Sequence, residues 1–361
     1  MADKKLKVAI VGCGGIANGK HMPSLKKIDE VEMVAFCDII EERAAQAKAD
    51  YGDESAKVYT DYRELLKDPT IDVVHVCTPN DMHSEITVAA LEAGKHVMSE
   101  KPMAKTPEGA RKMLEAAKRT GKKLTVGYQN RFRADSQMLY QLCRRGDLGD
   151  IYFAKAQAIR RRAVPTWGVF LDEEKQGGGP LIDIGTHALD LTLWMMDNYK
   201  PKVVVGTTYH KLGSRPNSAN AWGSWDPAKF TVEDSAFGFV VMENGATIVL
   251  ESSWALNTLH TGEAKTVLCG TEAGADMDDG LRINGEEFGK MYQKDVQLGK
   301  GGVDFYSGSN ELYGPDLEMR VWVDAILNDT EVVVKPEQAL VVTEILDAIY
   351  ESARTGKAVY L

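Results

Sequence analysis

A strand-like run, Leu6 to Val11, breaks into Gly12-Cys13-Gly14-Gly15-Ile16-Ala17, and a helical pattern continues from Ile16 to Ile28. No other stretch restricts the fold so strongly. The G-x-G-x-x-A pattern between strand and helix permits a tight turn and a close approach of backbone to a pyrophosphate. The helix N-terminus favours the negative charge. Gly12, Gly14, Gly15, Ile16 and Ala17 are therefore candidate contacts to a dinucleotide. A second strand, Glu32 to Cys37, ends in Asp38, about 20 residues past the glycines. Asp38 has two readings: an acceptor for the ribose hydroxyls of NAD that repels the extra phosphate of NADP, or a helix N-cap before Ile40. Arg43, on the helix Glu41 to Tyr51, leaves room for NADP or faces solvent.

The alternation goes on. Tyr62 to Lys67 reads as a helix, Ile71 to Cys77 as a strand, His83 to Ala93 as a helix and His96 to Ser99 as a strand. Pro107 to Thr120 is a further helix and Leu124 to Val126 a further strand. Such alternation predicts a parallel sheet covered on both faces, a Rossmann domain over residues 1–129. Ligands of these sheets lie at the carboxyl ends of strands. Three irregular segments fall there: Thr78 to His83, Ser99 to Met103, and Gly127 to Phe132. Lys101 stands between Glu100 and Pro102, and the proline holds it extended. It reads either as a hydrogen-bond donor to a substrate hydroxyl or as half of a solvated Glu–Lys pair. His83 reads as a helix start near the cofactor; His21, His75, His96, His210 and His260 have no partner pattern.

Residues 130–361 read differently. After the helix Ala134 to Arg145 come strand-like runs at Ile151 to Ile159, Val203 to Tyr209, Ser235 to Val241, Thr247 to Trp254 and Lys265 to Cys269. Few helices interleave, so a large open, mainly antiparallel sheet is expected, with an Asn244-Gly245 hairpin turn. Leu317 to Leu327 and Glu337 to Ser352 read as closing helices. The fold class is thus α/β: a Rossmann parallel sheet followed by a second α/β domain.

Within the second part, Gly177-Gly178-Gly179-Pro180 opens a nearly all-apolar helix, Leu181 to Met196, that carries Asp183, His187 and Asp190. Spacings of four and three put these on one face. Ionisable groups in an apolar helix are costly unless paired or used, so a buried hydrogen-bonded histidine and a working site both fit. A metal site does not, because the three side chains spread over about 10 Å of helix axis. Arg160 to Arg162 suit an anion or the solvated side of a strand. Trp167 suits a ring-stacking wall or a core position.

A net charge of −10 excludes a general nucleic-acid or anionic-membrane binder. The five scattered cysteines indicate neither a zinc knot nor a disulfide framework. No apolar run approaches the roughly 18 residues of a membrane span, and the N-terminal run turns into glycine rather than a cleavage site. A cytoplasmic location is expected.

Taken in order, GCGGIA, Cys37-Asp38, CTPNDMH, EKP, GYQNRF and GGGPLIDIGTHALD resemble the glucose-fructose oxidoreductase / inositol dehydrogenase / MocA family along essentially the whole chain. The resemblance implies NAD as cofactor ahead of NADP, a catalytic Lys101, a catalytic pair Asp183–His187, and a cis peptide at Pro102. It places Thr78, Pro79, Asn80, His83, Glu100 and Asn130 near the nicotinamide half, and Arg131 and Trp167 at the pocket. It implies homo-oligomers through the C-terminal sheet, dimers, tetramers or larger. The activity implied is oxidation of a ring hydroxyl of a sugar or glycoside, first at C3 of an O- or C-linked hexoside. Inositol or a free monosaccharide is the runner-up, and an NAD-dependent glycosidase without net redox change is a different class. A nicotinamide-sensing regulator would have no need of Lys101, Asp183 and His187.

Overall fold

A computed structural model describes residues 5–298, 312 and 314–361. The N-terminal elements follow the expected alternation: β1 (Leu6–Val11), α1 (Met22–Leu25), β2 (Val31–Cys37), α2 (Glu41–Tyr51), β3 (Lys57–Tyr59), α3 (Tyr62–Leu66), β4 (Val73–Val76), α4 (His83–Glu92), β5 (His96–Ser99), α5 (Pro107–Thr120) and β6 (Leu124–Val126). The caps are local. Thr106 accepts from the Gly109 amide at the start of α5, and Gly121 ends that helix at φ 66°. All pairings among β1–β6 are parallel, in the order β3-β2-β1-β4-β5-β6. This is the Rossmann order, with its switch point between β1 and β4 beside the glycine turn.

The second set begins with α6 (Ala134–Arg145), β7 (Phe153–Ile159), α7 (Glu173–Gln176), α8 (Thr186–Met196), β8 (Pro201–Tyr209), β9 (Ser235–Met242), β10 (Thr247–Ser253) and β11 (Gly262–Cys269). It continues with β12 (Ala273–Asp276), β13 (Arg282–Glu287), β14 (Lys290–Asp295), α9 (Pro315–Leu327), α10 (Pro336–Thr355) and β15 (Val359–Tyr360). Nine strands form one sheet in the order β14-β13-β12-β11-β7-β10-β9-β8-β15. Only the β7–β10 pair is parallel. The β9–β10 hairpin turns through Asn244-Gly245, with Gly245 at φ 88°. α8 packs on β7 and β11; Val205 and Phe239 stand exposed on the sheet. β13 and β14 escape sequence reading because nearly every position on them is half-exposed or exposed, which leaves no apolar alternation.

The domain boundary after Gln129 falls where composition places it, but the expected unbroken second domain is corrected. Gly314–Thr343 joins Met1–Gln129, and Glu344–Leu361 joins the second unit. α9 returns because Met319, Trp322 and Val323 fill the same core as Met22, Leu25 and Phe36. An apolar stripe predicts that a helix packs; it does not say on which core. Among the described residues, no helix is long and apolar enough to cross a membrane.

Candidate active site

The first unit supplies the glycine turn. Gly12 sits at φ 92°, and a Cβ there would lie 2.6 Å from the Cys77 carbonyl oxygen, so only glycine lets β1 turn against the end of β4. At Gly14 and Gly15 a Cβ would meet nothing within 4 Å, so this backbone faces open space at the start of a helix. That arrangement fits a pyrophosphate. Asp38 is buried: Oδ2 accepts from the Cys13 amide (2.9 Å) and Oδ1 from the Ile40 amide (2.9 Å), and the N-cap of α2 is Ile40 rather than Asp38. The carboxylate thus ties the end of β2 to the glycine turn while acceptor lone pairs remain. Cys13 is no nucleophile: burial, with the Asp38 charge behind it, pushes its thiol up to about 12.

The helix after the glycines contains a π turn, Ala17–His21, and so does the helix carrying the Asp183–His187 pair, at Leu181–Gly185. Sequence reading treats both as regular α-helix. Single π turns recur where a helix serves a site, and here they fall within the two segments read as cofactor and catalytic.

Around Lys101 the structure moves several expectations. The Lys101–Pro102 peptide is cis, and Lys101 is half-buried. Glu100 is buried and ionic, with Lys20 at 2.6 Å and His21 at 2.8 Å from its Oε1. The alternative of a solvated Glu–Lys pair is corrected, because the Glu100 carboxylate is held inside the fold. His83 opens α4, as the sequence predicts, and is fully buried, with Nδ1 2.8 Å from the Pro102 carbonyl oxygen and Nε2 2.9 Å from that of Thr78. Carbonyls only accept, and burial pushes its pKa down, so the neutral ring donates to one of the two at a time. Thr78 is half-buried, Pro79 exposed and Asn80 buried at the end of β4; Arg43 is exposed on α2.

The second unit holds the other candidates. Leu181 to Met195 is buried throughout. Asp183 accepts from Trp254 Nε1 at 3.1 Å, and His187 follows four residues later, 8% exposed. The glycines before this helix have a packing reason: a Cβ on Gly178 would lie 2.0 Å from Tyr350 Oη, and one on Gly179 2.2 Å from the Glu233 carbonyl oxygen. Glu233 then closes the helix start, accepting from the Gly179 amide (2.8 Å), the Leu181 amide (3.0 Å) and Tyr350 Oη (2.9 Å). Sequence reading misses Glu233, Trp254 and Tyr350. No local pattern marks them, because they meet the helix only through the fold.

Asp190 and Arg131 are brought together as a buried ion pair. The guanidinium grips Asp190 at both oxygens (Nε 2.9 Å, Nη2 2.6 Å), with side chains 0% and 1% exposed. The ring of Trp194 lies 5.3 Å from the guanidinium carbon. Asn130 is half-buried beside it. Trp167 is 52% exposed and meets Phe170 and Trp222 edge-on. Arg160 pairs with Glu263 and lies over the Trp222 ring, Arg162 donates to the Asn257 side-chain oxygen, and Arg161 is exposed. Among the described residues, no group of three or more His, Cys, Asp or Glu is placed to hold a metal ion.

A Rossmann sheet whose glycine turn opens at its switch point defines a dinucleotide-binding unit. Comparison makes that specific. Residues 6–128 match the oxidoreductase family with NAD-binding Rossmann fold, GFO/IDH/MocA, and residues 136–276 match the GFO/IDH/MocA C-terminal domain. The chain is 37% identical to D-glucoside 3-dehydrogenase of Escherichia coli (strain K12), over 100% of this chain and 99% of that one. It is 33% identical to scyllo-inositol 2-dehydrogenase (NADP(+)) of Bacillus subtilis (strain 168), over 59% of this chain and 56% of that one. Among solved structures, levoglucosan dehydrogenase in complex with NADH superposes with a TM-score of 0.82 at 22% identity, covering 99% of both chains. The chain belongs to the GFO/IDH/MocA oxidoreductase family, and NAD is its cofactor class.

Proposed function

We propose that this chain is an NAD-dependent dehydrogenase that oxidises a secondary ring hydroxyl of a sugar or glycoside to a ketone, with C3 of an O- or C-linked hexoside as the first choice. The observation that carries this is the end-to-end likeness to D-glucoside 3-dehydrogenase. When bound, NAD supplies the acceptor for the hydride that leaves carbon. The open amides at Gly14 and Gly15 hold its pyrophosphate and Asp38 its ribose hydroxyls. His187 takes the hydroxyl proton as general base, since imidazole is the side chain whose ordinary titration lies nearest neutral pH. Asp183, held by Trp254, orients it. Lys101 stabilises the negative charge that develops on the substrate oxygen as the hydride departs.

The deciding experiment incubates the protein and NAD with hexoses, inositols and alkyl or aryl glucosides, following NADH and product masses. NADH with a keto glycoside two mass units below its substrate is the expected result. NADH only from inositols or free sugars selects the runner-up, which the likeness to an inositol dehydrogenase favours. Free sugar without NADH would mean an oxidise–eliminate–reduce glycosidase, and no oxidised product at all would sink the reading.

Asp38→Ala is expected to shift preference from NAD toward NADP, measured as the ratio of kcat/KM values, because the carboxylate that repels the extra phosphate is gone. An unchanged ratio returns Asp38 to its structural contacts with Cys13 and Ile40. The same reading includes a homo-oligomer through the exposed sheet face around Val205 and Phe239, whose apolar side chains gain from a partner. Phe239→Glu should lower the mass seen by light scattering; an unaltered mass rejects this face. Cytoplasmic residence fits the five free cysteines.

A further inference from the structure

Among the described residues, five buried ionisable side chains cluster behind Lys101 and are not used by the proposed chemistry. Lys20, His21, His75, Glu100 and Glu318 are each at most 5% exposed. Their hydrogen bonds have a fixed direction. Trp322 Nε1 can only donate, and it lies 3.3 Å from His75 Nε2, so that nitrogen carries the lone pair. His75 therefore donates from Nδ1 to His21 Nδ1, 2.8 Å away. His21 in turn carries its proton on Nε2 and donates to Glu100 Oε1 at 2.8 Å. Lys20 Nζ donates to the same oxygen at 2.6 Å, and its other carboxylate neighbour is Glu318 at 3.0 Å. Every proton along Trp322, His75 and His21 points toward Glu100.

The free side of that carboxylate is spent on one target. Glu100 Oε2 accepts from the Lys101 amide at 3.1 Å. On the far side of Lys101, the Pro102 carbonyl lies 2.8 Å from His83 Nδ1. Lys101 is thus bracketed by two buried side chains that act on main-chain atoms. Space for the bracket is kept by Gly127 at the end of β6: a Cβ there would lie 2.8 Å from Glu100 Oε1 and 3.1 Å from Lys20 Nζ.

We infer that Glu100 is the positioning residue of Lys101: anchored by Lys20, His21 and, through His75, by Trp322 of α9, it fixes the main chain from which the lysine reaches its substrate. The inference rests on the catalytic reading of Lys101. Burial agrees with the directed chain, pushing His21 and His75 down toward the neutral ring, while Lys20 and His21 together hold Glu100 ionised against its own burial. It also explains why a C-terminal helix is built into the nucleotide unit: α9 contributes the first donor of the chain and the second carboxylate on Lys20.

The test is a double-mutant cycle with Lys101→Met, using NAD and methyl β-D-glucoside or the glycoside that gives most NADH in the screen. Glu100→Gln is expected to lower kcat about tenfold to a hundredfold, the cost of misplacing a catalytic group, with KM for NAD and glycoside within about twofold, as for a group that acts only through the transition state. In the Lys101→Met background it should cost nothing further. Gly127→Ala displaces the carboxylate without removing its charge, and it should act in the same direction with the same dependence on Lys101; it serves if Glu100→Gln does not fold. A Glu100 effect that persists undiminished without Lys101, or a raised KM for NAD at unchanged kcat, overturns the inference. Lys101→Met alone with wild-type kcat instead removes the catalytic reading itself, and that single variant tells the two failures apart.

Discussion

Replacing His187 by alanine is expected to lower kcat for sugar oxidation by about 10²–10⁴-fold, the range for loss of a positioned general base. NADH affinity should stay near that of the wild type, because the residues proposed to hold the cofactor lie in the glycine turn and at Asp38. The expectation follows from where the side chain is kept. His187 is 8% exposed in a segment whose other residues from Leu181 to Met195 are buried apolar or hydrogen-bonded groups. Asp183, one π-containing turn earlier, is fixed by the indole of Trp254. A histidine so placed is expensive to bury and gains little by packing alone. Steady-state NADH formation at saturating glycoside gives the answer, with NADH fluorescence titration as the check on folding. Unchanged kcat would assign the base elsewhere. Trp254→Phe removes the indole hydrogen bond to Asp183, so a smaller loss in the same direction is expected there.

Asp190→Ala is expected to have the largest effect on stability. It leaves the Arg131 guanidinium charged, at 0% exposure, without the carboxylate that grips two of its nitrogens. Removing one partner of such a buried pair costs about 3–5 kcal/mol. Burial pushes the Asp190 carboxyl up while Arg131 pulls it down, so the pair persists through mutual compensation rather than as a gain over apolar packing. The double replacement Arg131→Met with Asp190→Leu should therefore recover most of the loss, since no lone charge remains. Urea unfolding followed by tryptophan fluorescence reads both, because Trp194 lies against the guanidinium. Asp190→Ala melting with the wild type would mean that water reaches Arg131, contrary to its burial.

These two residues share one helix and one apparent face, and their separate fates show how far a linear reading goes. Asp183, His187 and Asp190 have a spacing that promises a common cluster. Arg131 claims Asp190 from 59 residues away, and nothing near either residue announces the pairing. Glu100 behaves in the same way. Its position after β5 is legible, but its partners Lys20 and His21 come from the helix after the glycine turn, and Lys20 is shared with Glu318 of α9, so a loop residue of expected exposure becomes a buried anchor. β13 and β14 were illegible for the opposite reason: polar on both faces, they carry no apolar period to detect.

Most of the elements and their order, β13 and β14 apart, are legible in the sequence. Period-2 and period-3.6 apolar runs, the caps at Thr106 and Gly121, and the glycine turn are written in neighbouring residues, and local sterics enforce them. The sequence also marked Lys101, Asp183 and His187, because chemistry-bearing residues in restricted or apolar settings stand out. Which buried charges are paired, and with what, is visible only in the tertiary structure. A buried charge is defined by its partner, and partners such as Arg131 for Asp190, Trp322 for His75 and Glu233 for the helix start are supplied by chain folding back across long separations.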